Sequence, residues 1–533
     1  MDFRAPPAQG VRLHLQASQT GHRQRTNLRS SSRSSRALGT TSATTTATTT
    51  TRLTATTATT RTSCRALLEG GSSVAGRKLL QGSAVLEQLL HLGSTPSGEE
   101  VFEVISVELD YWRRNPRCAT LVLSNLARHR LPLIANHILT LMVAKSVEVH
   151  VFHYNAAISA CEKGRQWQLA LRLLSGMPDM RVSPNEISYN AAISACEKGG
   201  QWQMALVLLN SMPDMHIVPD KISCNAATSA CEKGGQWQLA LSLLSSMPDM
   251  KMSPNEISYS AAISACSKGG QWQMALSLLC SMPAMRVIPN KISYSAAISA
   301  CEKGGQWQLA LGLLGSMPDM RVAPDQISHS AAISACSKGG QWQIALGLLN
   351  SMPNMRVIPN EISYNAAISA CEKAGQWQLA LGLLRSMPDM RVIPSKISFN
   401  AAISACEKGG QWQLALSLLS SMPDKRVFPN EITCSAAISA CEKGGQWQLA
   451  LILLSNMPDM RVIPNEISYS AAISSCEKGG QWQLALRLLI SMPELRVNPD
   501  EISCRAVAAG AESPKQHARH ENDSKCKQLQ CCN

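Results

Sequence analysis

The sequence predicts an all-α protein, a superhelical α-solenoid of two-helix repeats that follows a disordered N-terminal leader. Three observations lead to this fold class. A block of 35 residues recurs ten times without a gap over residues 151–500, and a fixed period of this length is typical of stacked helical units. Ten of the 11 Trp residues occupy one position of the block, so the core repeats with the same period. Residues 1–80 lack the period and are rich in Arg, Ser and Thr.

The leader, residues 1–80, has a composition that cannot bury a core. Residues 1–68 hold ten Arg, no Lys and the single acid Asp2, so they carry +9 of the net charge of +13. Overall charge is therefore a weak argument for a polyanionic partner. An Arg- and Ser-rich, acid-poor segment is typical of a mitochondrial or chloroplast transit peptide, and low-complexity drift is the alternative. No run of 18 apolar residues occurs, so the sequence predicts no membrane span.

The array is predicted to have distinct ends. Residues 81–150 read as a helical lead-in, and residues 116–150 have the length of one divergent repeat that would cap the exposed end. Residues 501–533 start like an eleventh first helix and continue as a partial repeat and polar tail. The predicted segments are therefore 1–80, 81–150, 151–500 and 501–533.

Within a repeat, columns are counted so that Glu186 is column 1 and Asp220 is column 35 of the second copy. Column 3 is Ser or Thr in nine of ten copies, which predicts the N-cap of the first helix, Ser188 in the second copy. Gly199 and Gly200 are predicted to end that helix, because glycine tolerates the left-handed cap conformation.

The second helix is predicted from an apolar stripe that starts at Trp202 and ends before Pro213. Neither helix can bury its apolar side alone, so stacking on the next copy must complete the core. The small residues of the first helix, such as Ala191, Ala192 and Ala195, predict that first helices lie side by side on the concave face, where a ligand would bind.

Nineteen Cys residues occur, and ten of them stand at column 11 of the repeat, from Cys161 to Cys476. One thiol per repeat on an Ala-rich helix predicts a small buried hydrophobe, in preference to a disulfide or a metal ligand. In the tail, Cys526, Cys531 and Cys532 accompany His517 and His520, but their spacing fits none of the common zinc patterns. The sequence predicts neither a metal nor a cofactor.

At these columns the block resembles the pentatricopeptide repeat. The second copy carries the matching residues at Tyr189 and Asn190, Lys198 and Gly200, Ala205 and Leu206, Met212, and Pro219 with Asp220. The ten clear copies cover about two thirds of the chain. Departures are Trp at the start of the second helix, Cys one column early, and Met-Pro-Asp-Met-Arg in place of Met-x-x-x-Gly. The resemblance implies a right-handed superhelix and a monomer that binds single-stranded RNA, about one base per repeat.

The resemblance also assigns roles to columns. The fifth and last columns would read the base, and an apolar residue at column 2 would sandwich it. The reading residues are Asn155, Asn185, Asn190, Asp220, Asn225, Asn255, Ser260, Asn290, Ser295, Asp325, Ser330, Asn360, Asn365, Ser395, Asn400, Asn430, Ser435, Asn465, Ser470 and Asp500. The sandwich residues are Phe152, Ile187, Ile222, Ile257, Ile292, Ile327, Ile362, Ile397, Ile432 and Ile467.

The family's code, applied pair by pair, implies the target 5′-CUCAGACCAG-3′, with C and U poorly separated. Column 5 is Asn in five copies and Ser in five. An amide can pair with a pyrimidine edge, whereas a short hydroxyl leaves room for a purine. Drift among recently duplicated copies is the alternative account of this variation.

A row of lysines supports the same interpretation. Column 13 is Lys in all ten copies, namely Lys163, Lys198, Lys233, Lys268, Lys303, Lys338, Lys373, Lys408, Lys443 and Lys478. Lysines in step with the reading columns could follow phosphates. A solvated helix end favoured by the helix dipole explains them equally well.

The sequence predicts no enzyme. Some members of this family end in a zinc deaminase domain whose last residues are Asp-Tyr-Trp, and the chain has that tripeptide at Asp110, Tyr111 and Trp112, before the repeats. The zinc ligands and the acid/base Glu of a deaminase do not accompany it, so chance explains it better. The implied role is RNA processing, stability or translation in a mitochondrion or plastid, with RNA-processing proteins as recruited partners. The competing class is a protein-binding scaffold of tetratricopeptide type, whose period is 34.

Overall fold

The computed structural model describes residues 85–492, 501 and 503–506. The predicted leader, the Cys and His residues of the tail, and Asp500 lie outside the described residues. Every regular element in the described part is helical.

The lead-in consists of a helical segment at 85–91 and three longer helices. These are α1 (Gly98–Arg114), α2 (Pro116–Arg128) and α3 (Pro132–Ala144). A capping box of Ser97 and Glu100 starts α1. Trp112 of the Asp-Tyr-Trp tripeptide is buried within this region, which gives that residue a packing role.

Each of the ten repeats contains two helices of constant length. The first helices, of 13 residues, are α4 (Val151–Lys163), α6 (Glu186–Lys198), α8 (Lys221–Lys233), α10 (Glu256–Lys268), α12 (Lys291–Lys303), α14 (Gln326–Lys338), α16 (Glu361–Lys373), α18 (Lys396–Lys408), α20 (Glu431–Lys443) and α22 (Glu466–Lys478). The second helices, of 10 residues, are α5 (Trp167–Gly176), α7 (Trp202–Ser211), α9 (Trp237–Ser246), α11 (Trp272–Ser281), α13 (Trp307–Ser316), α15 (Trp342–Ser351), α17 (Trp377–Ser386), α19 (Trp412–Ser421), α21 (Trp447–Asn456) and α23 (Trp482–Ser491).

Successive repeats stack mainly through their first helices. Each first helix packs on the first helix of the next repeat, and each second helix packs on its own first helix and on the following one. Successive second helices contact each other far less, so the first helices form the more closely spaced, inner side. Ala192, Ala195 and Cys196 are fully buried there, and the same columns are buried along the array. The predicted α-solenoid and the packing of first helices side by side are confirmed.

The predicted N-cap of the first helix is wrong. In the second repeat the helix begins three residues earlier, at Glu186, and its N-cap is Asn185, the last column of the preceding repeat. The backbone N–H of Ser188 donates to Asn185 Oδ1 over 3.1 Å, and the backbone N–H of Asn185 donates to Ser188 Oγ over 3.2 Å. Ser188 is therefore the second member of a capping box rather than the cap itself.

The two turn glycines have different roles. Gly200 has a φ of +72°, the left-handed conformation predicted for the helix end. Gly199 is the C-cap of the helix, so it ends the helix as predicted, but its φ of −84° is not the left-handed conformation that was the predicted reason. A Cβ atom on Gly199 would lie 2.5 Å from Cδ1 of Trp167 in the preceding repeat. Gly199 is thus needed for close packing against the Trp that starts the second helix of the preceding repeat. Gly200 is needed for its left-handed backbone conformation.

A basic residue at column 31 adopts the left-handed conformation in nine described repeats. These residues are Arg181, His216, Lys251, Arg286, Arg321, Arg356, Arg391, Arg426 and Arg461, with φ between 57° and 59°. The related family has glycine in this part of the turn, where a positive φ carries no penalty. A side chain here strains the backbone by roughly 1–2 kcal/mol.

Candidate nucleic-acid interface

An exposed apolar residue stands in the first turn of every first helix. It occupies column 2, and its exposed fraction ranges from 58% at Ile187 to 68% at Phe152. The other members are Ile222, Ile257, Ile292, Ile327, Ile362, Ile397, Ile432 and Ile467. A regular row of exposed apolar side chains is a candidate ligand surface, although column 33 also carries exposed apolar residues in several repeats. The predicted sandwich positions are therefore accessible to a ligand.

The two predicted reading columns lie next to each other across the repeat boundary. Asn155 Nδ2 donates to Asn185 Oδ1 over 3.1 Å, and Asn190 Nδ2 donates to Asp220 Oδ2 over 3.0 Å. The same pair of columns is joined by bonds of 3.2 to 3.5 Å between Asn225 and Asn255, Ser260 and Asn290, Ser330 and Asn360, Asn365 and Ser395, and Ser435 and Asn465. A base that contacts one column can therefore contact the other.

The last column has a second, structural role that the sequence reasoning missed. In addition to facing column 5, it caps the following first helix, as Asn185 does. Asn, Asp and Ser are among the residues preferred at an N-cap. Helix capping therefore restricts this column to the three residue types observed, whether or not it also reads a base. The pattern of Asn or Asp three residues before Ser could have revealed it.

The polar atoms of some column 5 residues form hydrogen bonds within the protein, and those of others do not. Asn155 Oδ1 accepts a 2.6 Å hydrogen bond from Ser188 Oγ, as Asn225 and Asn365 do from the equivalent serines. Three buried atoms at column 5 have no hydrogen-bond partner among the described residues: Asn190 Oδ1, Ser295 Oγ and Asn400 Oδ1. Two further buried atoms without a partner, His329 Nε2 and Ser475 Oγ, lie outside the reading columns, so the unpaired atoms do not by themselves identify a ligand site.

The lysine row forms a ladder of ion pairs that the sequence reasoning did not foresee. Each paired Lys reaches the Glu at column 12 of the preceding repeat, as Lys198 does to Glu162 over 2.6 Å. The other pairs are Lys233–Glu197, Lys268–Glu232, Lys338–Glu302, Lys408–Glu372, Lys443–Glu407 and Lys478–Glu442, at 2.7 to 3.0 Å. The carboxylates reduce the positive charge that these lysines offer to a phosphate.

The ladder is interrupted twice, where Ser replaces Glu. Ser267 precedes Lys303, and Ser337 precedes Lys373. Within the described residues no carboxylate pairs with either lysine, and Lys373 Nζ donates instead to the backbone oxygen of Ser337 over 3.2 Å. These two positions retain an uncompensated positive charge. Lys163, in the first repeat, has no ion pair to a described carboxylate either.

Six of the predicted site residues line a cavity of about 400 Å3, whose wall is formed mainly by the fifth repeat with residues of the third, fourth and sixth. Its wall includes the sandwich residues Ile292 and Ile327, the reading pair Ser295 and Asp325, and the unpaired Lys303. The rest of the wall is formed by charged and small residues, namely Glu232, Ser264, Ser267, Lys268, Lys291, Ala296, Ser299 and Glu302. A volume in this range is typical of a ligand pocket. The lining therefore contains apolar, polar and cationic side chains, the kinds that stack on a base, hydrogen-bond to it and pair with a phosphate.

The repeated thiols are buried within the array. Burial raises the pKa of the column 11 thiols to about 11, and that of Cys161 to about 12, so they remain protonated at neutral pH. This confirms their prediction as small buried hydrophobes. The described residues contain no group of three or more His, Cys, Asp or Glu placed to hold a metal ion. Nor do they include a helix long and apolar enough to span a membrane.

Family comparisons match most of the repeat array. The PPR repeat family matches residues 254–303 and 394–443, and the pentatricopeptide repeat domain matches 137–198, 207–269 and 347–409. The PPR repeat matches 187–217, 292–322, 327–357 and 467–497. No curated protein sequence matches the chain.

The chain is similar to several solved structures at low sequence identity. The chain is similar to the pentatricopeptide repeat protein PPR10 from maize, with 18% identity over 90% of this chain and 77% of that one, and a TM-score of 0.57. PPR10 in complex with an 18-nt psaJ RNA element has 17% identity over 86% and 81%, with a TM-score of 0.43. Yeast Rmd9p in complex with a 16-nt target RNA has 10% identity over 86% and 89%, with a TM-score of 0.32.

The matched segments together span residues 137–322, 327–443 and 467–497, which is more than half of the chain. They agree with the two-helix repeats and the PPR10-like fold of the structure. The chain belongs to the pentatricopeptide repeat family.

Proposed function

We propose that the chain binds single-stranded RNA along its first-helix side, with about one base per repeat. The cavity of the fifth repeat is the observation that carries this proposal. Its lining includes Ile292 and Ile327, the reading pair Ser295 and Asp325, and Lys303. Stacking on apolar side chains, hydrogen bonds to a base edge and a cation for the phosphate are the means by which proteins hold single-stranded RNA.

The order of reading pairs makes the proposal sequence-specific. The family code applied to the ten pairs gives 5′-CUCAGACCAG-3′ as the target. PPR10, whose fold the chain shares, has been solved with an 18-nt RNA element. Five repeats with Asn at column 5 are assigned to pyrimidines, and five with Ser to purines.

We propose that the chain binds its RNA in an organelle. The Arg- and Ser-rich leader supports import into a mitochondrion or plastid. There the chain would act as a monomer that binds RNA without catalysing a reaction. Its occupancy of the RNA would protect it, expose it for translation, or recruit RNA-processing proteins to it.

Binding of labelled RNA by the full chain tests the proposal. We expect a tight complex with the single-stranded 10-mer 5′-CUCAGACCAG-3′, weak binding to its duplex, and weaker binding when purines and pyrimidines are exchanged. Failure to bind any single strand would favour the protein-binding scaffold instead.

A substitution tests the code itself. Ser295→Asn should move the preference at the fifth base from purine to pyrimidine. Ser299→Asn is the matched control, because Ser299 lines the same cavity one helical turn away but lies outside the reading columns. An unchanged base preference in Ser295→Asn, or the same shift in Ser299→Asn, would contradict the assignment.

A further inference from the structure

The fifth repeat contains an ion pair at its base-reading position. Lys291 Nζ lies 3.0 Å from Asp325 Oδ2, and Asp325 is the last-column reading residue of this repeat. Lys291 occupies column 1, which carries Glu in five of the ten copies and has no role in the reading scheme. The Lys291 side chain is 56% exposed, whereas that of Asp325 is 18% exposed.

The combination of Lys at column 1 with Asp at the last column occurs in this repeat alone. The other two last-column aspartates, Asp220 and Asp500, belong to repeats whose column 1 is Glu186 and Glu466. Lysine also stands at column 1 in the eighth repeat, whose last column is Asn430, and in the third, where Lys221 Nζ donates to Ser253 Oγ over 3.1 Å. The lysine in the fifth repeat therefore differs from the others in touching a reading carboxylate.

The carboxylate is held ionised in this setting. Burial alone would raise the pKa of Asp325, but the backbone N–H of Ser328, 2.9 Å from Oδ1, and the Lys291 ammonium outweigh burial and lower that pKa. Oδ1 serves the helix cap and Oδ2 contacts the ammonium, and both residues line the cavity, so together they offer it an acceptor beside a donor.

An acceptor beside a donor is complementary to one class of base. Guanine presents an N1–H donor next to the O6 acceptor, and uracil presents N3–H next to O4. With the carboxylate facing the ring nitrogen and the ammonium facing the exocyclic group, adenine and cytosine would set an acceptor against Asp325 Oδ2 and an amino donor against Lys291, and both contacts are repulsive. Lysine contacts to guanine O6 are a common means of discrimination in nucleic-acid recognition.

We propose that Lys291 is an additional specificity-determining residue, which together with Asp325 selects a keto base, guanine, at the fifth position of the RNA. Lys291 donates to O6 while Asp325 Oδ2 accepts from N1–H. Ser295, whose buried Oγ has no partner among the described residues, lines the same cavity and leaves room for the larger purine. This inference rests on the proposed RNA binding and extends it to a column outside the two reading columns.

Lys291→Met removes the ammonium while it keeps the length of the side chain, and the half-exposed position should leave the fold intact. The full chain is measured with five RNAs that differ only at the fifth base: G, A, U, C and inosine. Inosine retains O6 and N1–H and lacks the 2-amino group. Lys221→Met is the matched control, because it removes a column 1 lysine that does not touch a reading carboxylate.

In Lys291→Met we expect affinity for G and inosine to fall about tenfold, while affinity for A and C changes by less than about twofold. The control should leave discrimination at the fifth base unchanged. An equal loss for all five RNAs would overturn the inference, because it would make Lys291 a general electrostatic contact. No change with G would overturn it as well.

The outcomes separate the two proposals. If the wild-type chain binds the RNA and discriminates at other positions but treats G and A alike at the fifth, only the inference about Lys291 fails. If the wild-type chain binds no single-stranded RNA, the proposed function fails and the inference fails with it. Unchanged thermal unfolding of Lys291→Met shows that any loss of affinity is local.

Discussion

Restoration of the interrupted ion-pair ladder should weaken RNA binding by a calculable amount. Ser267→Glu places a carboxylate where Lys303 has none. In the neighbouring repeats the equivalent pairs, Lys268–Glu232 and Lys338–Glu302, lie at 3.0 and 2.9 Å. The new carboxylate should pair with Lys303 in the same way and remove one free cation from the first-helix side.

The magnitude follows from counterion release. Each phosphate neutralised on a single strand contributes a slope of about −0.7 to the logarithm of affinity against the logarithm of salt concentration. Loss of one such contact should therefore make the slope shallower by about 0.7. At roughly 0.15 M salt this corresponds to about a fourfold loss, or about 0.8 kcal/mol. Stability should change by less than about 1 kcal/mol, because the pair is partly exposed.

The assay is fluorescence anisotropy of the labelled 10-mer between about 50 and about 200 mM salt. Glu302→Ser is the reciprocal control, since it frees Lys338 and should strengthen binding about fourfold with a steeper slope. If both variants keep the wild-type slope, the lysine row does not contact phosphate, and the reasoning from the ladder is refuted.

Three further predictions concern the fold. Gly234→Ala should lower the free energy of unfolding by about 1–3 kcal/mol, because the new Cβ would lie 2.2 Å from Trp202 Cδ1. Gly312 is the control, since it is a helical position with open space around it. In the same urea titration, Gly312→Ala should raise the free energy of unfolding by about 0.5–1 kcal/mol. Arg286→Gly should stabilise the array by about 1 kcal/mol, since it relieves a φ of +58°, and a lowered melting temperature would argue against strain at column 31. Twelve thiols have a pKa raised by burial from 9.0 to about 11 or 12, so they stabilise the fold below pH 9 and lose that contribution as pH rises through about 11. The urea midpoint should fall steeply over that window, and a midpoint that is flat to pH 11 would show that the thiols titrate normally.

The two-helix repeat was predictable because its signals are local. Periodic apolar residues, the turn glycines and Pro213 define the helices within 35 residues of sequence. The buried Cys at column 11 follows from the same reasoning, since a small apolar residue on an Ala-rich helix has to lie at a close helix contact. The stacking of first helices follows from these small residues.

The features that the sequence did not reveal depend on contacts between repeats. Lys198 and Glu162 are 36 residues apart, so their pairing requires the stacking geometry. The sequence analysis assigned the N-cap to Ser188, whereas the structure assigns it to Asn185. Both residue types are common at an N-cap, and only the backbone shows which one precedes the helix. The roles assigned to the reading, sandwich and phosphate columns stay predictions, although two members of each class line a single cavity.

Selection of the full chain against a random single-stranded RNA library tests the central claim most directly. The account predicts an enriched motif of ten positions with pyrimidines at positions 1–3 and 7–8, purines at 4–6 and 9–10, and guanine at position 5. Enrichment of no motif, or of one unrelated to the order of Asn and Ser at column 5, would contradict it.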